Sequence, residues 1–177
     1  MDRRQQKTKI EIKKALLGLL KNKNLHELTV VDVCNKANIG RSTFYLHYAD
    51  INQLMEEIED EQLNYILQIC LKYYQINIKI VCTEVAKYVK KNLNIYKTLL
   101  LKTNSHFENK VKIKYSQVFN DFYHRPKEPS FIKYYFSFIT NGAIGVFKDW
   151  IIDDCIIDET MIVDNFISYL KKGVNVE

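Results

Sequence analysis

Residues 29–50 read TVVDVCNKANIGRSTFYLHYAD, and this stretch decides the fold. Thr29 is a helix-capping residue, and Asp32 stands three positions on, where it completes a capping box. Val30, Val33, Cys34 and Ala37 fall at i, i+3, i+4 and i+7, which is one face of a helix. Asn38, Ile39 and Gly40 make the turn; Gly40 is expected to supply backbone freedom and Ile39 to pin the turn to the core. A second helix is predicted over 41–48, and Asp50 with Gln53 caps the next one. Two short helices at this spacing form a helix-turn-helix, the unit that lays a recognition helix in the DNA major groove.

The side chains of the second helix fit that use. Phe44 is the natural inward anchor, which leaves Arg41, Ser42, Thr43, Tyr45 and His47 as an outward set of hydrogen-bonding groups. Arginine reads guanine edges, and Ser, Thr, Tyr and His hold phosphates. Short helical pairs without any nucleic-acid role show the same periodicity, so the pattern alone leaves both readings open.

Taken together, TVVDV at 29–33 and ANIGRSTFYLHYAD at 37–50 resemble the DNA-binding domain of TetR-type transcriptional regulators. In that family an apolar residue, Thr, an aromatic or Leu, Tyr, any residue, His and an aromatic or apolar residue form the recognition helix. The resemblance runs upstream through Lys7, Ile12, Ala15, Leu16 and Leu19 and downstream to Leu54, about the first sixty residues. It implies a DNA-facing set of Thr29, Arg41, Ser42, Thr43, Tyr45, Leu46, His47 and Tyr48. One position departs from the family pattern: a phosphate-gripping Lys just after the capping Asp is replaced by Ile51, Asn52 and Gln53.

Outside this stretch the composition is that of a helical protein. Only 5 Gly and 2 Pro occur among 177 residues, which favours long helices over tight turns. The net charge of +5 is concentrated: residues 1–50 hold 10 Lys or Arg against 5 Asp or Glu, and 51–177 hold 16 of each. A basic N-terminal segment favours phosphate backbone, and its coincidence with the helix-turn-helix gives it weight. Residues 1–14 carry charge without an apolar run, unlike a signal peptide. The longest uncharged stretch, 134–147, falls short of the ~20 apolar residues that span a membrane. Cys34, Cys70, Cys82 and Cys155 show no paired spacing, as expected of reduced cytoplasmic thiols. His26, His47, His106 and His124 are dispersed, and no Gly-rich phosphate loop or nucleophile elbow occurs. No metal, cofactor or catalytic residue is expected.

In chain order, Arg3, Arg4 and Lys7 are expected as a basic arm before a first helix at 7–21, whose core stripe is Ile12, Ala15, Leu16, Leu19 and Leu20. A connector helix follows over about 51–74, with its acidic residues, Glu56 to Glu61, turned away from DNA. The division expected is a DNA-binding domain at 1–50, the connector, and an effector-binding and dimerisation domain at 75–177. Helical segments at 78–92, 94–102 and 107–123 are rich in aromatics. Tyr88, Tyr96, Tyr115, Phe119 and Phe122 are candidates to line a pocket for a small hydrophobic or aromatic effector, or else simply fill a helical core. RPKEP at 125–129 breaks the run. Helices at 131–152 and 159–172 close the chain, and the first is apolar nearly all round.

An all-α architecture of about nine helices follows. TetR-like proteins dimerise through their last two helices, which implies an interface of Phe138, Gly142, Gly145, Phe147, Trp150, Ile162, Phe166 and Leu170. The stretch 131–150, with its aromatic-rich FSFITNGAIGVFKDW, also resembles the C-terminal domain of the subgroup that includes dihydroxyacetone kinase regulators. The resemblance implies a homodimeric, sequence-specific repressor, released from a palindromic operator by an effector. The competing reading is a TetR-like adaptor or co-activator that works through a protein partner.

Overall fold

The first helix, α1 (Arg3–Leu19), starts at Arg3, so Arg3 and Arg4 lie on helical backbone rather than on an extended arm. Its inward stripe is Ile12, Ala15 and Leu16, continued by Leu20; Leu19 is only half-buried. A 3-10 turn (Leu25–Glu27) leads to α2 (Val30–Ala37), the short α3 (Arg41–Tyr45) and the long α4 (Ile51–Tyr73). Then come α5 (Ile78–Lys91), α6 (Leu93–Leu101), α7 (Phe107–Phe122), α8 (Pro129–Ile152) and α9 (Glu159–Lys172). The computed structural model describes residues 3–73, 77–101, 107–122 and 129–172; for 116–122, 129–133, 135, 136 and 172 it describes the backbone alone. The all-α expectation holds: the described residues form nine α-helices and no strand. The break expected around 125–129 falls mostly outside the described residues. Pro129 stands in the first turn of α8, where its missing N–H has no helical partner to lose.

Two compact units divide the chain: residues 3–62 with 98–101, and residues 63–97 with 107–172. The division falls inside α4 and inside α6.

In the first unit, Ile12, Leu16, Leu20, Val33, Phe44, Tyr48, Leu54 and Ile58 are all at most 2% exposed. α2 packs on both α1 and α3. In the second unit, α9 packs on α5 and buries Val163, Phe166 and Ile167. Lys79–Asp164 and Lys90–Glu159, each 2.6 Å, stitch the rim of that contact. Exposed pairs of this kind contribute little to stability, so the apolar face does the holding. No described helix is long and apolar enough to cross a membrane.

Candidate nucleic-acid interface

Residues 29–50 build their geometry from local chemistry. The Thr29 hydroxyl accepts from the Asp32 N–H at 3.2 Å, and the Asp32 carboxylate accepts from the Thr29 N–H at 2.9 Å. Those two bonds satisfy orphan donors at the start of α2 and fix where it begins. The turn is not made as expected. The left-handed residue is Asn38 (φ 54°), while Gly40 sits in ordinary extended backbone (φ −75°) as the residue preceding α3. Asn tolerates this conformation because its side chain is short and polar. A methyl group at Gly40 would lie 3.7 Å from Ser42 Oγ, an ordinary contact.

α3 turns Phe44 fully inward, against the Tyr48 ring at 5.8 Å. On its other side Arg41 and Ser42 are exposed, Thr43 and His47 are half-exposed, Tyr45 is 57% exposed and Leu46 is 81% exposed. Thr29 is exposed at the start of α2. Seven of the eight expected DNA-facing residues therefore reach the surface of one small unit. Tyr48 does not, and its assignment is corrected: its N–H pairs with the Phe44 carbonyl at 3.0 Å, one helical turn back, so its ring follows Phe44 into the core at 1% exposure.

The buried side of Tyr48 exposes a brace that the sequence reading missed. Its hydroxyl donates to Glu57 Oε1 at 3.3 Å. The same carboxylate takes Lys9 Nζ at 2.7 Å and Lys13 Nζ at 2.6 Å, and Lys13 also reaches Glu61 at 2.6 Å. Lys9 further lies 5.1 Å from the centre of the Tyr48 ring. The signal was present as two matching i,i+4 pairs, Lys9/Lys13 and Glu57/Glu61, one helical turn apart on α1 and on α4. The acidic run of α4 is thus partly a clamp on α1, and two of the basic residues in the N-terminal surplus are neutralised by it. Burial works against the charge on Glu57, but the Lys13 and Lys9 ammonium groups outweigh it and hold the carboxyl below its ordinary range. Burial likewise disfavours the Lys13 ammonium, and Glu57 and Glu61 outweigh it to raise that group.

The sign of the pH dependence follows. The depressed Glu57 value contributes stability that is present above about pH 4.5, its unfolded value, and is lost as pH falls through the folded one. The raised Lys13 value contributes below pH 10.5 and is lost as pH climbs through its folded value. Glu57→Gln should therefore flatten the fall in stability below pH 4.5, followed by helical circular dichroism. An unchanged acid limb would show that the brace carries no stability.

The other expected residues fall in the second unit. Tyr88 meets Tyr65 at 5.6 Å and Tyr96 at 6.3 Å, and Tyr96 meets Phe107 at 6.2 Å. The Tyr115 hydroxyl lies 3.1 Å from Cys70 Sγ. The side chains of Phe119 and Phe122 lie outside the described residues. Of the expected interface, Phe138, Gly142 and Gly145 are exposed, and Phe147, Ile162 and Leu170 are half-buried. Trp150 and Phe166 are corrected to core. Trp150 is 3% exposed with its indole N–H donating to the Ile157 carbonyl at 2.8 Å, and Phe166 is 5% exposed with its ring edge beneath Gly142.

A family model described as "Transcriptional regulator C-terminal region", of TetR type, matches residues 77–172, just over half of the chain. The chain belongs to the TetR family of transcriptional regulators. Over 51 residues it is 31% identical to an uncharacterized HTH-type transcriptional regulator, YxbF, of Bacillus subtilis (strain 168). That match covers 29% of this chain and 13% of the relative's length. Among solved structures, a TetR transcriptional regulator from Streptococcus agalactiae 2603V superposes with a TM-score of 0.67 at 24% identity, covering 95% of this chain and 93% of the other. The fatty acid degradation regulator FadR from Bacillus halodurans gives 0.66 at 14% identity, covering 95% and 96%. The dihydroxyacetone kinase operon activator DhaS gives 0.63 at 18%, covering 93% and 96%. At these identities the likeness is one of fold. It extends the same all-helical fold over both units, and the family is one of transcriptional regulators.

Proposed function

We propose that this TetR-family regulator is a homodimeric repressor that binds double-stranded DNA at a palindromic operator and is released by a small apolar effector. The observation that carries the reading is the division of α3 into two faces. Phe44, backed by Tyr48, fixes the helix from behind, while Arg41, Ser42, Thr43, Tyr45, Leu46 and His47 stand outward together. On this reading Arg41 reads a base, the hydroxyls and His47 hold phosphates, and Thr29 extends the contact from the start of α2. Residues 1–50 would be the DNA-binding head, 51–74 the connector, and 75–177 the effector and dimerisation part.

Homodimerisation is supported by what α8 and α9 leave uncovered. Tyr134 and Phe138, 70% and 68% exposed, lie one turn apart on α8 and run on to Gly142 and Gly145. Met161 and Tyr169 extend the apolar surface on α9, with Ile162 and Leu170 half-buried beside them. Two such faces can pack on one another, and the resulting two-fold axis matches half-sites a whole number of helical turns apart. The effector would enter among Tyr88, Tyr96 and Tyr115. Acting on DNA, the protein would work in the cytoplasm.

Titration of the purified chain against duplex DNA from its own upstream region, at several salt concentrations, tests the reading. The expected result is two protomers per duplex, affinity far above that for random DNA, and a fall of roughly a hundredfold between 50 and 200 mM salt. Affinity equal to that for random duplex would overturn operator recognition. It would favour the adaptor reading, which the absence of a Lys at 51–53 supports.

A further inference from the structure

The corner between α8 and α9 holds apolar side chains outward. Ile152 and Ile157 are 41% and 43% exposed, and Ile156, at 82%, is the most exposed large apolar side chain described. Isolated exposed isoleucines are ordinary, but three within one short segment form a patch. The backbone beneath them is pinned. The Cys155 N–H donates to the Trp150 carbonyl at 2.8 Å, and the Ile156 N–H to the Asp153 carbonyl at 3.2 Å. The buried Trp150 indole donates to the Ile157 carbonyl at 2.8 Å, and Cys155 is itself buried. Asp154 and Cys155 both take left-handed backbone (φ 59° and 51°), which Asp tolerates and Cys rarely adopts. Such backbone persists only where its surroundings hold it, and here it turns Cys155 in and Ile156 out. Ile156 is therefore displayed on fixed backbone, so a partner that covers it loses little loop freedom in binding.

Negative charge surrounds the patch. Residues 149–159 contain Asp149, Asp153, Asp154, Asp158 and Glu159 and no Lys or Arg, a local reversal of sign in a chain of net charge +5. Lys97 takes Asp154 and Lys90 takes Glu159, each at 2.6 Å. Among the described residues no Lys or Arg forms an ion pair with Asp149, Asp153 or Asp158; the Asp158 carboxylate caps α9 by accepting from the Thr160 N–H at 2.9 Å. Asp149 stands one turn before both Ile152 and Asp153 on α8, which sets charge directly beside the apolar surface.

Charge complementarity selects the occupant. DNA and an anionic membrane surface are repelled. A second copy related by a two-fold axis would set the same carboxylates against its own. Ile152 also lies about 21 Å along α8 from Phe138, the exposed ring assigned above to the second protomer. We propose that the α8–α9 corner docks a protein partner through a basic amphipathic helix, whose apolar residues cover Ile152, Ile156 and Ile157 and whose Lys or Arg residues meet Asp149, Asp153 and Asp158. A helix of that kind supplies both chemistries in one element, apolar on one face and charged along its edges. Such docking is independent of DNA binding by α3.

A synthetic amphipathic helix of leucine and lysine is the probe, and the same helix with glutamate for lysine is its control. Binding to the full chain is followed by fluorescence anisotropy. The lysine helix should bind at least about tenfold more tightly than the glutamate helix. Ile156→Ser should weaken it about tenfold, as loss of a central anchor does. Asp149→Asn combined with Asp153→Asn should weaken it several-fold at about 50 mM salt and little at about 500 mM. Glu56→Gln, which alters an exposed acid on α4, should leave it unchanged. All these positions are exposed, so the variants should melt with the parent. Binding undiminished by Ile156→Ser or by the aspartate pair, equal binding of the two helices, or a loss in Glu56→Gln as large as in the aspartate pair would overturn the site. A change of oligomeric state in Ile156→Ser, read by sedimentation, would overturn it too, because the patch would then be covered by a second copy.

Discussion

Phe44→Ala is expected to lower the stability of the DNA-binding unit by about 3–5 kcal/mol and to abolish DNA binding at 37 °C. Phe44 is 0% exposed, with its ring edge-on to Tyr45 at 5.7 Å and tilted against Tyr48 at 5.8 Å. Truncation loses the burial of the ring and leaves a cavity behind α3, whose five residues have no other large anchor. Against a typical total stability of about 5–15 kcal/mol, the loss is severe. Because the chain has two units, melting is to be read as two transitions if they separate. The first should move down by roughly 12–40 °C, and the second should hold. A shift equivalent to less than ~1 kcal/mol would mean that Phe44 is not the anchor of the recognition helix.

Arg41→Ala is expected to act on recognition and leave the fold intact. Arg41 is exposed in the first turn of α3, so its removal empties no core and should change stability by less than ~0.5 kcal/mol. If its guanidinium reads a guanine edge, operator affinity falls by about 1–3 kcal/mol, roughly ten- to a hundredfold, while affinity for random DNA falls much less. Tyr45→Phe makes the contrast. Losing one hydroxyl from a ring already 57% exposed should weaken operator and random DNA to a similar extent, as a phosphate contact does. Fluorescence anisotropy with both duplexes gives the two ratios directly. Equal loss on both duplexes for Arg41→Ala would move it from base reader to phosphate contact.

The features that were legible in the sequence are those whose physics is local. The Thr29–Asp32 box, the inward Phe44, the α5 to α9 boundaries and the all-α class each depend on residues within a few positions of one another. Helical periodicity and cap chemistry write such features directly into the order of residues. The turn was partly legible: its place at 38–40 was expected, but the backbone freedom assigned to Gly40 is used at Asn38, which takes the left-handed conformation. Both residue types tolerate it, and the choice is made by where α2 stops.

What lay beyond the sequence depended on which face of a helix meets another element. Tyr48 looked like a DNA contact until α4 supplied Glu57 as a partner for its hydroxyl, and Lys9 and Lys13 looked like free basic charge until the same carboxylate claimed them. Trp150 and Phe166 looked like interface residues because an apolar side chain reads alike whether it is covered by its own chain or by another. That Ile156 stands outward while Cys155 beside it is buried is likewise visible only once every neighbour is in place. By itself, the sequence determined the helices, their caps and the outward chemistry of α3, because short-range sterics and hydrogen bonding depend on neighbours along the chain. Only the tertiary structure decided which side chains are buried and which charges are paired, because those depend on contacts between residues far apart in the chain.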